Sequence, residues 1–391
     1  MARLFTALLA LLLLFSLSSA ALHAKLDWDY GSTHSNTGWL AKRGLDGHAG
    51  LEWDYGSVSG TSRMVKRSSS CYPRSYPAKE YSSLVAFGAS YTDNAHPRSA
   101  ANKGSLRFYW PYEQWGGRYT NGQVAVEWMV NSTASPVLGK NVSLIDYAYG
   151  GSMIENGLAG TNASWPDAEE QIATYLFDLK AGNASVGNGR VLHYFNSGIN
   201  PVTSIWLTTL YHDNLTDSVV AKAKEGVTQN VQAMAKAIES ISKSKAVKSL
   251  HDADYLIVGI PPLEIVPTIA NQIPSSHNTT SGRLEALKLM KTLSAQFNSE
   301  LAAFAPSFSK EKDVKKRGSR VWFYDFAELW YDMNENPGKY GILDPLKTCY
   351  NSTTGGVCTN PEEYLYFDTL HPVTSVHQLM AEKMNALVLG A

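Results

Sequence analysis

A serine, an imidazole and a carboxylate, set at opposite ends of this chain, have the chemistry of a hydrolytic site. Ser90 follows the apolar run Leu84-Val85-Ala86-Phe87 across Gly88 and Ala89, and Asp368 stands three positions before His371 in Asp368-Thr369-Leu370-His371. A serine hydroxyl is a poor nucleophile until a base takes its proton, and an imidazole is a directed base only when a carboxylate fixes its tautomer. The Asp368–His371 spacing is about one helical turn, close enough for one side chain to orient the other. Singly, each has a plainer reading: a turn serine, a surface aspartate, a satisfied histidine. Together they predict a Ser90–His371–Asp368 triad that works through a covalent acyl-serine.

Such a triad needs a scaffold that brings distant segments to one edge. The run Leu84–Phe87 has the continuous apolar character of a strand buried in a parallel sheet, and Gly88 and Ala89 let the chain leave it sharply. That places the Ser90 hydroxyl at the carboxyl edge of the sheet, where open α/β folds bind ligands. Further strands are predicted at Val142–Ala148, Thr203–Leu207, Tyr255–Ile260 and Arg320–Tyr324. Between them, Val227, Val231, Met234, Ile238 and Ile241 share a face and predict a helix over Asp217–Lys243. Ala286, Met290, Leu293, Phe297 and Leu301 predict another over Gly282–Phe304. Pro372 suits the first turn of a last helix and keeps His371 out of helical geometry, free to point at the serine. The expected fold class is therefore α/β: a three-layer α/β/α sandwich around a central parallel sheet of about five strands, over residues 81–388.

The stretch FGASYTDN (Phe87–Asn94) resembles the first block of the GDSL, or SGNH, hydrolases, and DTLHP (Asp368–Pro372) resembles their last. GRYTNGQVAVEWM (Gly117–Met129), IDYAYGGSMIEN (Ile145–Asn156) and YLIVGIPPLEIVP (Tyr255–Pro267) keep the family's order and spacing. The likeness covers residues 80–388 and looks greatest to fungal secreted esterases of the sixteenth carbohydrate esterase family. It implies a flavodoxin-like SGNH-hydrolase fold and the triad above. It also implies an oxyanion hole made of the serine N–H, the N–H of a second-block glycine and a third-block asparagine side chain. Ser90 matches the first role and Gly151 the second, with Gly150 a one-residue alternative. A glycine there lets the backbone approach the substrate oxygen without a Cβ in the way. Arg118, Asn121 and Glu127 match the family's second string and are expected to hydrogen-bond beneath the site. The order Ser, Asp, His, with the last two in one short motif, separates this family from α/β-hydrolases, whose G-x-S-x-G elbow is missing here.

The third block departs from the pattern. After its strand the family carries Gly-x-Asn-Asp, whereas the run read here is SIWLTTLYHDNLTD (Ser204–Asp217). Aligned without a gap, the asparagine position falls on Leu210, which cannot donate. A two-residue insertion brings it to His212, whose ring can. Asn214 is a further option, but it heads the sequon Asn-Leu-Thr. His212 is the expected donor, with these alternatives open.

The amino terminus reads as export machinery. Arg3, the apolar run Leu8–Phe15 and the small residues Ser18-Ser19-Ala20 form a secretory signal peptide, residues 1–20, too short to anchor in a bilayer. Residues 21–67 repeat Trp28-Asp29-Tyr30-Gly31-Ser32 as Trp53-Asp54-Tyr55-Gly56-Ser57, and the copies are followed by Lys42-Arg43 and Lys66-Arg67. Low complexity with basic doublets reads as a pro-region cut by a kexin-type protease, leaving an esterase domain over 68–391; the plainer reading is a flexible linker. Seven sequons, at Asn131, Asn141, Asn162, Asn183, Asn214, Asn278 and Asn351, fit a secreted glycoprotein. Three cysteines suggest one disulfide, between Cys349 and Cys358 around a short loop, with Cys71 unpaired or paired elsewhere.

A net charge of −1 without a basic run argues against a nucleic-acid partner, and no later segment is apolar for long enough to insert stably in a membrane. Metal and nucleotide motifs are missing, and acyl-serine chemistry needs no cofactor. Trp110, Tyr112, Trp115, Tyr119 and Trp128 cluster after the serine block, as sugar-stacking platforms or as packing. The expected activity is a secreted, extracellular serine esterase releasing acetyl or other short acyl groups from acylated plant cell-wall carbohydrate or another small ester. The competing expectations are a lipase or phospholipase on the same scaffold, or a weakly active or non-catalytic secreted binding protein, motivated by the altered third block.

Overall fold

The apolar run at Leu84 lies in β1 (Tyr81–Gly88), buried along nearly its whole length. The computed structural model describes residues 80–96, 112–160, 165–212, 214–249 and 252–390, and the elements named here belong to the unit Ser70–Asn351 with Gly355–Ala391. The expected signal peptide, the repeated pro-region with its cleavage sites, Cys71, Trp110, the side chain of Tyr112 and the sequon at Asn162 lie outside the described residues.

β1 is joined in one parallel sheet by β2 (Ser143–Asp146), β3 (Arg190–Asn196), β4 (Ala253–Val258) and β5 (Val321–Tyr324), in the order β2-β1-β3-β4-β5. Val85 pairs with Ile145 on one side and with His193 on the other. The winding direction therefore reverses at β1, and the crevice above its carboxyl end is where a sheet of this order takes its ligand. α1 (Ala125–Val130) packs with α7 (Thr374–Leu389) against one face of the sheet. α2 (Ala168–Ala181), α3 (Ile199–Leu210), α4 (Asp217–Lys243) and α5 (Thr280–Phe308) pack with one another on the other face. α6 (Phe326–Glu335) follows β5. The result is the expected α/β sandwich, covered on both faces as a parallel sheet requires.

The helix expected over Asp217–Lys243 is α4 with those bounds, its stripe of Val227, Val231, Met234, Ile238 and Ile241 buried. One strand is misplaced in the sequence reading: Thr203–Leu207 lies within α3, and the third strand is Arg190–Asn196. The segment from Val202 to Trp206 is buried on every side, and a short apolar run of β-branched residues does not distinguish a strand from a buried helix. β3, conversely, carries Arg190 and His193 at buried positions. Arg190 grips Asp254 through Nε at 2.8 Å and through a terminal nitrogen at 2.6 Å. His193 lies between the Tyr175 hydroxyl at 3.0 Å and the Asp254 carbonyl at 3.2 Å. Burial pushes its pKa down to about 4, so the ring stays neutral and tolerable in the core.

Candidate active site

The nucleophile's position is set where β1 ends. Gly88 cannot carry a side chain, since a Cβ there would lie 2.6 Å from the Asn196 carbonyl and 2.7 Å from the Thr92 hydroxyl. Both of its peptide groups are held by the buried amide of Gln171 on α2: the N–H donates to Oε1 at 2.9 Å, and Nε2 donates to the carbonyl at 3.0 Å. Gln171 also donates to Ser152 Oγ at 2.9 Å. Beyond Gly88 the N–H groups of Thr92 and Asp93 both donate to the Ala89 carbonyl at 2.9 Å, which curls the chain so that Ser90 sits in the tight turn.

The base arrives from the carboxyl end on a loop fixed from several sides. The Phe367 N–H donates to the His371 carbonyl at 2.7 Å, the Tyr91 hydroxyl to the Leu370 carbonyl at 2.7 Å, and the Thr120 hydroxyl to the Pro372 carbonyl at 2.8 Å. His371 Nε2 lies 2.8 Å from Ser90 Oγ, and its Nδ1 lies 2.8 Å and 3.0 Å from the two Asp368 oxygens. Asp368 Oδ1 also accepts the N–H groups of Leu370 at 2.8 Å and His371 at 2.7 Å. A carboxylate held by peptide donors is an acceptor only, so the ring proton belongs on Nδ1 and the Nε2 lone pair receives the Ser90 hydroxyl proton. His377 does not join this chain of bonds. It is buried, accepts the Ala125 N–H on Nδ1 at 3.2 Å, and packs edge-on to Tyr91. Burial, with the His371 imidazole adding to it, pushes its pKa to about 3 and keeps it neutral.

On the β2 side, Gly151 adopts φ +77°, and a Cβ there would lie 2.6 Å from the Trp165 ring. The Gly150 N–H is engaged by Asp93 Oδ2 at 2.8 Å, whereas the N–H groups of Ser90 and Gly151 have no hydrogen-bond partner among the described residues. That separates Gly151 from its one-residue alternative.

The third donor is where the sequence reading is corrected. His212 is exposed beyond the carboxyl end of α3, and its carbonyl accepts from His277 Nε2 at 3.2 Å. Leu210 is fully buried in the core and Asn214 is exposed. With the third strand at β3, the residues after it are Ser197-Gly198-Ile199-Asn200-Pro201, a Gly-x-Asn with proline in the last place. Asn200 stands in the first turn of α3 and donates from Nδ2 to the Ser152 carbonyl at 2.9 Å, next to Gly151. At about 1.5 Å per residue, Leu210 is roughly 15 Å further along the same helix. The Gly-x-Asn spacing is present in the sequence directly after β3, not after Thr203–Leu207.

Arg118 and Glu127 form a two-pronged ion pair at 2.7 Å and 2.5 Å, and Asn121 Oδ1 accepts the Thr374 N–H at 2.9 Å, tying the second string to the start of α7. Tyr119 lies 5.1 Å from the His371 ring, and Trp115 lies edge-on to Phe367 at 5.0 Å. Trp128 instead donates to the Thr374 hydroxyl at 3.2 Å. Cys349 and Cys358 are bonded to each other. The N–H groups of Cys349 and Tyr350 donate to the carbonyls of Tyr366 and Phe367, at 3.0 Å and 2.6 Å, so the stapled loop leans on the segment that ends in Asp368. Asn141, Asn183, Asn214, Asn278 and Asn351 are exposed; Asn131 is half-buried, its Oδ1 accepting from Thr133. Among the described residues no group of three or more His, Cys, Asp or Glu is placed to hold a metal, and no helix is long and apolar enough to cross a membrane.

Known proteins resemble parts of this chain. GDSL esterase/lipase At1g06990 of Arabidopsis thaliana is 22% identical over 283 residues, 66% of this chain and 73% of that protein. GDSL esterase/lipase EXL5 of the same plant is 29% identical over 97 residues, so that the chain spans only 26% of its length. Among solved structures, phospholipase A1 from Streptomyces albidoflavus NA297 is 13% identical with a TM-score of 0.38, covering 80% of this chain and 100% of that one. The extracellular lipase of Streptomyces rimosus is 13% identical with a TM-score of 0.34, covering 72% and 94%. The sequence profile described as GDSL-like Lipase/Acylhydrolase matches residues 84–384, from before Ser90 to beyond His371. A match of that extent, over both segments that meet at the serine, means that the chain belongs to the GDSL-like lipase/acylhydrolase family.

Proposed function

We propose that this protein is a secreted serine esterase that removes short acyl groups, acetyl foremost, from plant cell-wall carbohydrate. The observation that carries ester hydrolysis is the unbroken hydrogen-bonded line from Ser90 Oγ through His371 to Asp368. Ser90 Oγ attacks the ester carbonyl carbon while its proton passes to His371 Nε2. The resulting oxyanion is held by the N–H groups of Ser90 and Gly151 and by the Asn200 amide. As the tetrahedral centre collapses, the carbon–oxygen bond to the alcohol breaks and His371 returns the proton to that oxygen. Water then repeats the sequence on the acyl-serine, giving the carboxylic acid and free Ser90.

The carbohydrate reading is supported by the likeness of the sequence blocks to fungal carbohydrate esterases, and by Tyr119 and Trp115 beside the triad segment. Export, and maturation by a kexin-type protease at the dibasic pairs, are supported by the amino-terminal sequence. A lipase or phospholipase is the second reading, and the Arabidopsis relatives, GDSL esterase/lipases, weigh toward a lipase. The binding-protein reading rests on the altered third block; the Asn200 amide, bonded to the Ser152 carbonyl beside Gly151, weighs against it. The test is acetate release from acetylated xylo-oligosaccharides against fatty-acid release from long-chain triglyceride and phospholipid. Faster acetate release is expected; a preference for long chains overturns the carbohydrate reading.

A further inference from the structure

We propose that the small cavity beside Ser90 is the acyl subsite and that Ile260 is the residue that limits acyl length. This rests on the hydrolase reading above and deepens it. A tetrahedral centre on Ser90 has four directions. One is the bond to Oγ itself, one is the oxyanion facing Gly151 and Asn200, and one is the leaving oxygen facing His371 Nε2. The acyl chain takes the fourth, and beside Ser90 the structure holds a cavity lined by Ser197, Gly198, Ile199 and Ile260, above the ends of β1, β3 and β4. Gly151 follows β2, on the opposite side of β1 from this cavity.

The cavity is short and its wall is stiff. It has room for about one water or one methyl. A Cβ on Gly198 would come within 2.4 Å of the Phe297 ring and 2.9 Å of the Ile260 side chain, so both are packed tightly against that glycine. Ile260 cannot swing aside with its backbone. Asn298 on α5 accepts its N–H at 2.8 Å, donates to its carbonyl at 2.8 Å, and is itself anchored on Asp325 Oδ1 at 2.9 Å. The Ser197 hydroxyl is buried without a hydrogen-bond partner among the described residues, a poor neighbour for a long alkyl chain. An acetyl methyl fits this space, and each further methylene is driven into Ile260.

The test measures kcat/KM of the full-length protein and of Ile260→Ala on 4-nitrophenyl acetate, butanoate and hexanoate. Wild type is expected to fall at least ~10-fold from acetate to hexanoate, which adds four methylenes where a single one costs about that much in a fitted pocket. Ile260→Ala is expected to narrow that ratio at least ~10-fold. A second arm needs no substitution: methylphosphonofluoridate should inactivate wild type faster than hexylphosphonofluoridate by a similar factor. A flat or rising chain-length profile in wild type overturns the assignment. So does an unchanged ratio in Ile260→Ala that is folded by near-ultraviolet circular dichroism, and so do equal inactivation rates, which decide the matter if the variant fails to fold. Wild type silent on every ester and unlabelled at Ser90 overturns the hydrolase reading itself, a result distinct from the others.

Discussion

His371 Nε2 lies 2.8 Å from the Oγ of Ser90, a residue 281 positions away in the chain, while Nδ1 of the same ring meets the Asp368 carboxylate. Asp368 accepts the ring proton and two peptide N–H groups at once, so its charge both sets the tautomer and shapes the turn. Asp368→Asn is expected to lower kcat on 4-nitrophenyl acetate by ~10⁴, and Ser90→Ala by ~10⁶. Ser90→Ala should leave the thermal midpoint close to that of wild type. A rate unaffected by either change means the nucleophile lies elsewhere.

Asn200→Ala is expected to reduce kcat by ~10² to 10³, about 3–4 kcal/mol of transition-state stabilisation, with a smaller change in KM. His212→Ala should stay within about twofold of wild type, because its side chain is at the far end of α3. Steady-state kinetics on both variants distinguish the two placements of the third block; a large loss in His212→Ala with none in Asn200→Ala reverses them.

Most of the sheet was legible because Leu84–Phe87, Tyr255–Val258 and Val321–Tyr324 are short apolar runs between clear helices. The triad was legible because Asp368 and His371 are neighbours in sequence and Ser90 follows a strand. β3 was not, because its Arg190 and His193 look like surface residues. Their partners, Asp254 and Tyr175, are contributed by other elements, and only the folded sheet brings them within reach. That single displaced strand hid Asn200. The roles of Gln171 and Asn298 were invisible for a related reason: an amide that grips a backbone leaves no pattern in the side chains it supports.

Two buried histidines should make the fold sensitive to mild acid. In the native protein the pKa values of His193 and His377 are depressed to about 4 and about 3, against 6.5 for an ordinary histidine. The unfolded chain therefore binds more protons below pH 6.5. The stability tied to neutral rings is complete above that pH and is lost as pH falls toward those native values. At ~1.4 kcal/mol per unit, His377 alone accounts for about 3 kcal/mol between pH 6.5 and pH 4. His377→Asn keeps an acceptor for the Ala125 N–H at the Nδ1 position but cannot take up a proton. It should flatten the acid side of the melting temperature against pH, and an unchanged slope would show that other groups dominate.

Removing the Cys349–Cys358 bond by Cys349→Ala with Cys358→Ala should cost about 2–3 kcal/mol in urea unfolding, the chain-entropy value for a short loop. Because that loop hydrogen-bonds to Tyr366 and Phe367, kcat should fall as well, by a few-fold. Stability lost with kcat untouched would mean that Asp368 is positioned independently of the staple.

Gln171 and Asn298 share a device: each closes its amide on both peptide groups of one residue, Gly88 at the end of β1 and Ile260 beyond β4. What they grip is main chain, identical whatever side chain it bears. Position 260 can therefore be exchanged for smaller residues while the main chain around the reacting atoms stays held in place. Substrate choice and catalytic power are thereby uncoupled, which makes this rim a natural place for related enzymes to diverge and for a library to be built.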